Sequence, residues 1–242
     1  MRKIVLALLF SAAVFADDFV VGTSSGYAPF VSLDSQGNYE GFDIDVARLV
    51  AERLGKTLVI KDFGSMPSQM LALKQNRIDA LIWAISITEE RKKNLNMIHY
   101  QGDPVTTLPF LFWNKVPKGI STIADLQEVC VEAGSFQEAV VASFPQARRK
   151  NVEKIMDVLL SLKTNKVMAA AVDPALLPRI QKQYPQMKLI NLPIPEAQQA
   201  LGNGICINKQ NTALAQKVQE VVDSLKSEGK IRELEEKWGL TP

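Results

Sequence analysis

Residues 78–93 read IDALIWAISITEERKK. Ile78 to Ser86 is an almost unbroken apolar run of strand length, as expected of a parallel strand buried on both faces. At Thr88 the character changes. A hydroxyl able to cap a helix is followed by the charged segment EERKKN. A buried strand leading into a capped helix is half of a βαβ unit. It sets the expectation of a mostly parallel sheet with helices on both faces, an α/β fold.

The same rhythm extends outward. Upstream, FVVGT (19–23) and TLVIKDF (57–63) read as strands. Between them Asp43 is expected to cap a helix running to about Leu54, with Val46, Leu49, Val50 and Leu54 on one face. Ser65 or Ser68 opens the next helix. Downstream the pattern restarts with strands at TLPFLFW (107–113), EVCVEA (128–133), VMAAAVD (167–173) and MKLINL (187–192). Helices are expected from Gln137 to Phe144, after an Asp157 cap, and from Pro174, where proline is tolerated. GICIN (204–208) is a last strand, and helices over 210–227 and 229–238 close the chain. A second α/β unit thus lies inside the first in sequence, between crossings near 104–109 and 193–203. The expected division is lobe 1 from 17–104 and 203–242, and lobe 2 from 105–202. Two crossings describe a hinge, and the cleft between hinged lobes is a natural ligand site.

Residues 1–16 stand apart. Arg2 and Lys3 precede the apolar run IVLALLFSAAVF, and Val14-Phe15-Ala16 offers small residues where a signal peptidase reads. This is the pattern of a secretory signal peptide. It is too short to span a bilayer, which takes about 20 residues. With those two cations gone, 26 of the 28 Lys+Arg remain against 26 Asp+Glu. The mature chain is formally neutral and offers no broad basic field for nucleic acid. An exported, soluble protein without membrane insertion is expected. Cys130 and Cys206 sit in apolar strand-like runs assigned to different lobes, so buried thiols are expected rather than a disulfide. One histidine, His99, and no Cys/His cluster argue against a metal site.

The loop at 22–26 reads GTSSG, a formal match to the G-x-S-x-G nucleophile elbow. An elbow needs a helix directly after the serine. Here Tyr27-Ala28-Pro29-Phe30 follows, and Pro29 disfavours helical geometry at Ala28. The single histidine has no evident orienting carboxylate. A glycine-rich turn past the end of a parallel strand fits ligand binding better, with Ser24 and Ser25 as donors and Tyr27 and Phe30 as an apolar wall.

GTSSGYAPF is followed by GNYEGFDIDVARLVAERLG, by LKQNRIDALIWAISITEERKK and, near the end, by SEGKIRELEEKWG. In this order and spacing, over nearly the whole mature chain, they resemble the amino-acid-binding (family 3) group of periplasmic solute-binding proteins. The resemblance implies a two-lobed receptor, monomeric and without a cofactor, that closes over a free amino acid and hands it to an ABC permease. It is not expected to be an enzyme. Arg91 matches the family arginine that grips the ligand carboxylate through a guanidinium fork. Asp173 matches the acid that takes the ligand ammonium, and a plain helix cap would explain it equally. Tyr27 matches an aromatic over the ligand, Ser86 a hydroxyl near the carboxylate, Met66 a site wall, and Gly134 and Ser135 a backbone N–H anion site.

The chain departs from the pattern at several places. Ser24 stands where receptors for basic amino acids often carry an acid, and Val31 is apolar where some carry Glu. Trp83 and Ala84 replace small or hydroxylated residues, and Phe136 replaces a common threonine. No evident partner for a cationic side chain remains, and an unpaired buried charge is costly. A neutral amino acid is therefore expected. A basic amino acid is the alternative, with a carboxylate such as Asp62 reaching the cleft. A secreted dehydratase on the same scaffold is the enzymatic alternative. It would need a spare acid or base in the cleft, and none is evident in the sequence.

Overall fold

The computed structural model describes residues 17–241, so the expected signal peptide at 1–16 lies outside the described residues. The described residues form twelve strands: β1 (Asp18–Thr23), β2 (Ser32–Leu33), β3 (Tyr39–Glu40), β4 (Thr57–Asp62), β5 (Ala80–Leu81), β6 (Leu95–Gln101), β7 (Thr107–Trp113), β8 (Glu128–Glu132), β9 (Arg148–Val152), β10 (Ala169–Ala171), β11 (Met187–Pro193) and β12 (Asn203–Asn208). The helices are α1 (Phe42–Arg53), α2 (Met66–Lys74), α3 (Glu89–Asn94), α4 (Phe136–Ala142), α5 (Ile155–Lys163), α6 (Leu177–Gln183), α7 (Thr212–Ser227) and α8 (Lys230–Trp238).

Two five-stranded sheets organise the chain, in the orders β4-β1-β5-β12-β6 and β11-β7-β10-β8-β9. In the first, β1 is parallel to both β4 and β5, with β4 in register from Asp18↔Thr57 to Thr23↔Asp62, and β12 alone runs against its neighbours. In the second, β8 is parallel to β9 and β10, and β7 is the antiparallel member. Each sheet is thus mostly parallel. The first sheet draws strands from both ends of the described chain, and the second draws only on β7 to β11. Helices α1 and α7 turn Ile44, Val46, Ala47, Val50, Val218, Val222 and Leu225 onto the first sheet. The second sheet has a core on each face, one around Phe110 and Phe112, the other around Leu111 and Leu162. Cys130 and Cys206 are free buried thiols, one in each sheet.

The structure corrects several local readings. Asp43 does not cap α1: the N-cap is Gly41, and Asp43 lies inside the first turn, fully buried. Asp157 does not cap α5, whose N-cap is Lys154 without a side-chain bond. The run 78–86 forms a strand only at Ala80–Leu81. Beyond it the chain stays buried but leaves the ladder, and Ala84 adopts φ +44°. Strands β6 and β9 were not anticipated. Both are edge strands of mixed polarity, which lack the apolar signature of central strands.

Candidate functional site

Several segments that line the space between the sheets follow the C-terminal end of a parallel strand, the position where open α/β sheets bind ligands. Tyr27 follows β1, Met66 follows β4, and the segment 82–86 follows β5. From the other side, Glu132 ends β8, and Asp173 follows β10. These residues face one another across a tight cavity. One wall holds Tyr27, Met66, Trp83, Ala84, Ser86 and Arg91; the other holds Glu132, Ser135, Phe136, Gln137 and Asp173. The space left between them is about 20 Å³, room for roughly one water. A second crevice of about 770 Å³ opens beside it, between α2, α3 and α4. Arg91, Ser135 and Phe136 border both spaces.

The guanidinium of Arg91 spans the gap. Nη1 donates to the Ser86 carbonyl at 2.8 Å, and Nη2 donates to the Gly134 carbonyl on the opposite wall at 2.9 Å. Two of its five N–H groups are thereby used. Burial pulls its pKa down from the ordinary arginine value. It is the only cation lining the cavity among the described residues. The Thr88 hydroxyl caps α3 by accepting from the Arg91 amide, which fixes where the arginine leaves its helix.

Two carboxylates, Asp173 and Glu132, lie on the opposite wall. Asp173 accepts from the Ala175 amide at 2.8 Å, so it does cap the turn at 174–176. Its carboxyl also lies beside Tyr27, and burial raises its pKa. Burial, with Asp173 nearby, pushes the Glu132 carboxyl up to about 7. Tyr27 is raised well above its ordinary value, by burial first and then by Asp173 and Glu132. The ring of Tyr27 meets Trp83 edge-on at 6.2 Å and packs against the cores of both sheets. The indole N–H of Trp83 is buried without a hydrogen-bond partner.

Two of the expected site residues lie elsewhere. Ser24 donates to Asp62 at 3.1 Å outside the cavity, and Tyr39 donates to the same oxygen at 2.9 Å. Asp62 does not line the cavity. Gly134 is also not part of the lining. Its N–H donates to the Glu138 carboxylate at 2.6 Å, so the expected anion site at the start of α4 is filled by the chain's own acid. Ser135 lines the cavity, and its hydroxyl caps α4. Glu132 and Gln137 were not among the expected residues. The signal for Glu132 was an acid ending an apolar strand just before Gly-Ser.

The family model described as "Bacterial extracellular solute-binding proteins, family 3" matches residues 19–241. A probable ABC transporter arginine-binding protein, ArtJ, from Chlamydia trachomatis serovar D is 36% identical over 227 residues, covering 93% of this chain and 87% of its own. The ABC transporter glutamine-binding protein GlnH of Bacillus subtilis is 26% identical over 208 residues, covering 84% and 74%. Among solved structures, an ancestral arginine-binding protein bound to arginine superposes with a TM-score of 0.78 at 27% identity, covering 93% of this chain and 99% of its own. With a match across essentially all described residues and two sheets meeting at a common cavity, the chain belongs to the bacterial extracellular solute-binding proteins, family 3.

Proposed function

We propose that the protein is the extracytoplasmic receptor of an ABC importer and that it captures a cationic amino acid, arginine or a close relative. The carrying observation is Glu132. The expectation of a neutral ligand rested on Ser24 and Val31, both on the first lobe, and on the lack of another acid for a cationic side chain. Glu132 supplies that acid from the second lobe. With Arg91 holding the ligand carboxylate and Asp173 its ammonium, a zwitterion leaves Glu132 buried and unpaired, which is costly. A side-chain cation closes the charge balance. The name of the 36% identical relative agrees, while the glutamine-binding relative shows that the family also serves neutral ligands.

The geometry supports the following mechanism. In the described form Arg91 bonds to Gly134 across the cleft and the cavity holds about 20 Å³. An amino acid enters when the lobes part and Arg91 exchanges the Gly134 carbonyl for the ligand carboxylate. The unpaired Trp83 N–H is a further donor for that carboxylate. Closure is favoured only by contacts absent from the open form; here those are Glu132 and Asp173 on the ligand cations. The permease then receives the closed complex. Export to the periplasm and action as a monomer complete the proposal.

Calorimetric titration with arginine, lysine, ornithine and glutamine tests the ligand class. Tight binding of a cation with glutamine much weaker is expected. Glutamine binding as tightly as arginine overturns it. Glu132 is also the one observation favouring a dehydratase, because a buried carboxyl near neutrality suits general acid catalysis. Incubation with prephenate tests that reading, and the receptor proposal expects no turnover.

A further inference from the structure

Asp43 is the most completely buried acid of the described chain, at 0% exposure, and the capture mechanism leaves it unused. It points away from solvent, from the first turn of α1 into the core. One carboxylate oxygen accepts from the Ala84 amide at 2.7 Å, and the other accepts from the Tyr100 hydroxyl at 2.7 Å. Tyr100, on β6, stacks on Phe42 at 5.9 Å, so the acid is fixed from two sides. Its partner Ala84 is the unusual one. Ala84 lies in the left-handed region, φ +44°, which a residue with a side chain rarely occupies. Such a conformation persists where its surroundings over-determine it. The segment it belongs to, 83–86, forms one wall of the cavity, and the Ser86 carbonyl anchors Arg91.

We propose that Asp43 is a positioning residue for ligand capture. Its carboxylate, reaching from the core, holds segment 83–86 in the conformation that presents Trp83 and Ser86 to the cavity and, through Ser86, aims Arg91. This rests on the reading of the cavity as the ligand site. A carboxylate suits the role because it offers two acceptors at once and no donor, as the Ala84 N–H and the Tyr100 O–H require. Burial pushes its pKa up to about 7, so the strength of this hold varies near neutrality. The titratable groups facing it are Tyr100 on β6, Tyr27 after β1 and Asp173 across the cavity, with Cys206 on β12 behind Tyr100.

Two variants of the full chain and two readouts test the role. Arginine and glutamine affinities are measured by calorimetry, and the Ala84 amide is followed by NMR for exchange protection and for its shift between pH 5.5 and 8.5. In the wild type the Ala84 amide is expected to be protected and to titrate near pH 7. Asp43→Ala is expected to lose the protection and about 10- to 100-fold in affinity, the cost of misplacing a binding group by about 1 Å. Asp43→Asn keeps one acceptor for Ala84. It is expected to recover part of the affinity, with an Ala84 shift that no longer follows pH near 7. Wild-type affinity in a folded Asp43→Ala, or an Ala84 amide still protected there, overturns the proposal. Should Asp43→Ala fail to fold, Asp43→Asn decides: unchanged affinity and an unchanged Ala84 titration overturn it. A wild type that binds neither amino acid refutes the proposed ligand class, while the Ala84 amide, which needs no ligand, still decides the role of Asp43.

Discussion

Arg91 and Glu132 are charged side chains on opposite walls of the cavity. Truncating one member of a buried charge pair costs about 2–5 kcal/mol, largely because the other charge is left unpaired. Arg91→Ala is therefore expected to weaken any amino acid ligand by about 30-fold or more in a calorimetric titration. Affinity within a factor of a few of wild type would remove the carboxylate assignment. Glu132→Gln is expected to cost a comparable factor for arginine and much less for glutamine. Its effect on the unliganded protein has the opposite sign. The Glu132 carboxyl is held up to about 7 in the fold, above its ordinary 4.5. Between those values the folded state binds a proton that the unfolded state has released, so raising the pH across the window destabilises the fold, and above 7 the penalty is complete. Glu132→Gln removes that penalty, a few kcal/mol at most. Its melting temperature should exceed wild type at pH 8 and approach it near pH 5. Part of the slope should survive, because Asp43 is raised to about the same value. Arginine affinity of the wild type should rise with pH through 7, since the cation needs the ionised form.

Elements set how closely the two walls can meet, and one close approach is the turn between β8 and α4. Gly134 has φ +76°, and a Cβ there would lie 3.0 Å from the Met66 Cγ and 3.3 Å from the Pro67 ring at the start of α2. The left-handed φ strains any side chain here, and the Met66 and Pro67 atoms would have to give by a few tenths of an ångström. Gly134→Ala is expected to hold the lobes apart, weakening ligand binding more than it lowers the melting temperature; tight binding with normal kinetics would show that α2 and the β8–α4 turn need not approach so closely. The same elements explain what the sequence could and could not disclose. The central strands β1, β8 and β10 were legible because burial on both faces makes them continuously apolar, and α3 because Thr88 caps it. Edge strands β6 and β9 carry no such signal. Asp43 looked like a cap because an acid beside a helix start usually is one, yet its partner Ala84 is 41 residues away. Ser24 looked like a ligand donor because its loop is in the right place. Its hydroxyl instead turns to Asp62, a pairing across 38 residues. Local pattern fixes the element. Which long-range partner a polar group finds depends on the assembled sheets.

At the scale of the whole molecule, the proposed capture mechanism calls for a hinge, and two chain crossings lie side by side between the sheets. The Val105 amide donates to the Ala200 carbonyl at 2.8 Å, and Gly202 packs against Gly102. A Cβ on Gly202, at φ +84°, would stand 2.5 Å from the Gly102 oxygen and 2.7 Å from the Gln101 oxygen. Those atoms are backbone and cannot swing aside, so a side chain here must push the crossings apart. Neither glycine lines the cavity, so the substitution leaves the cavity walls untouched. Arginine at 1,000 times its dissociation constant adds about 4 kcal/mol to a fold that alone binds it. For a chain of this size that is a rise in melting temperature of roughly 8–16 °C. Gly202→Ala is expected to melt lower than wild type without ligand. If closure over the ligand runs through this hinge, the variant should also show a smaller rise at the same arginine concentration, because part of the binding free energy is spent against the displaced crossings. A lower baseline with an undiminished rise would place the effect in folding alone and leave the lobes free to close by another route.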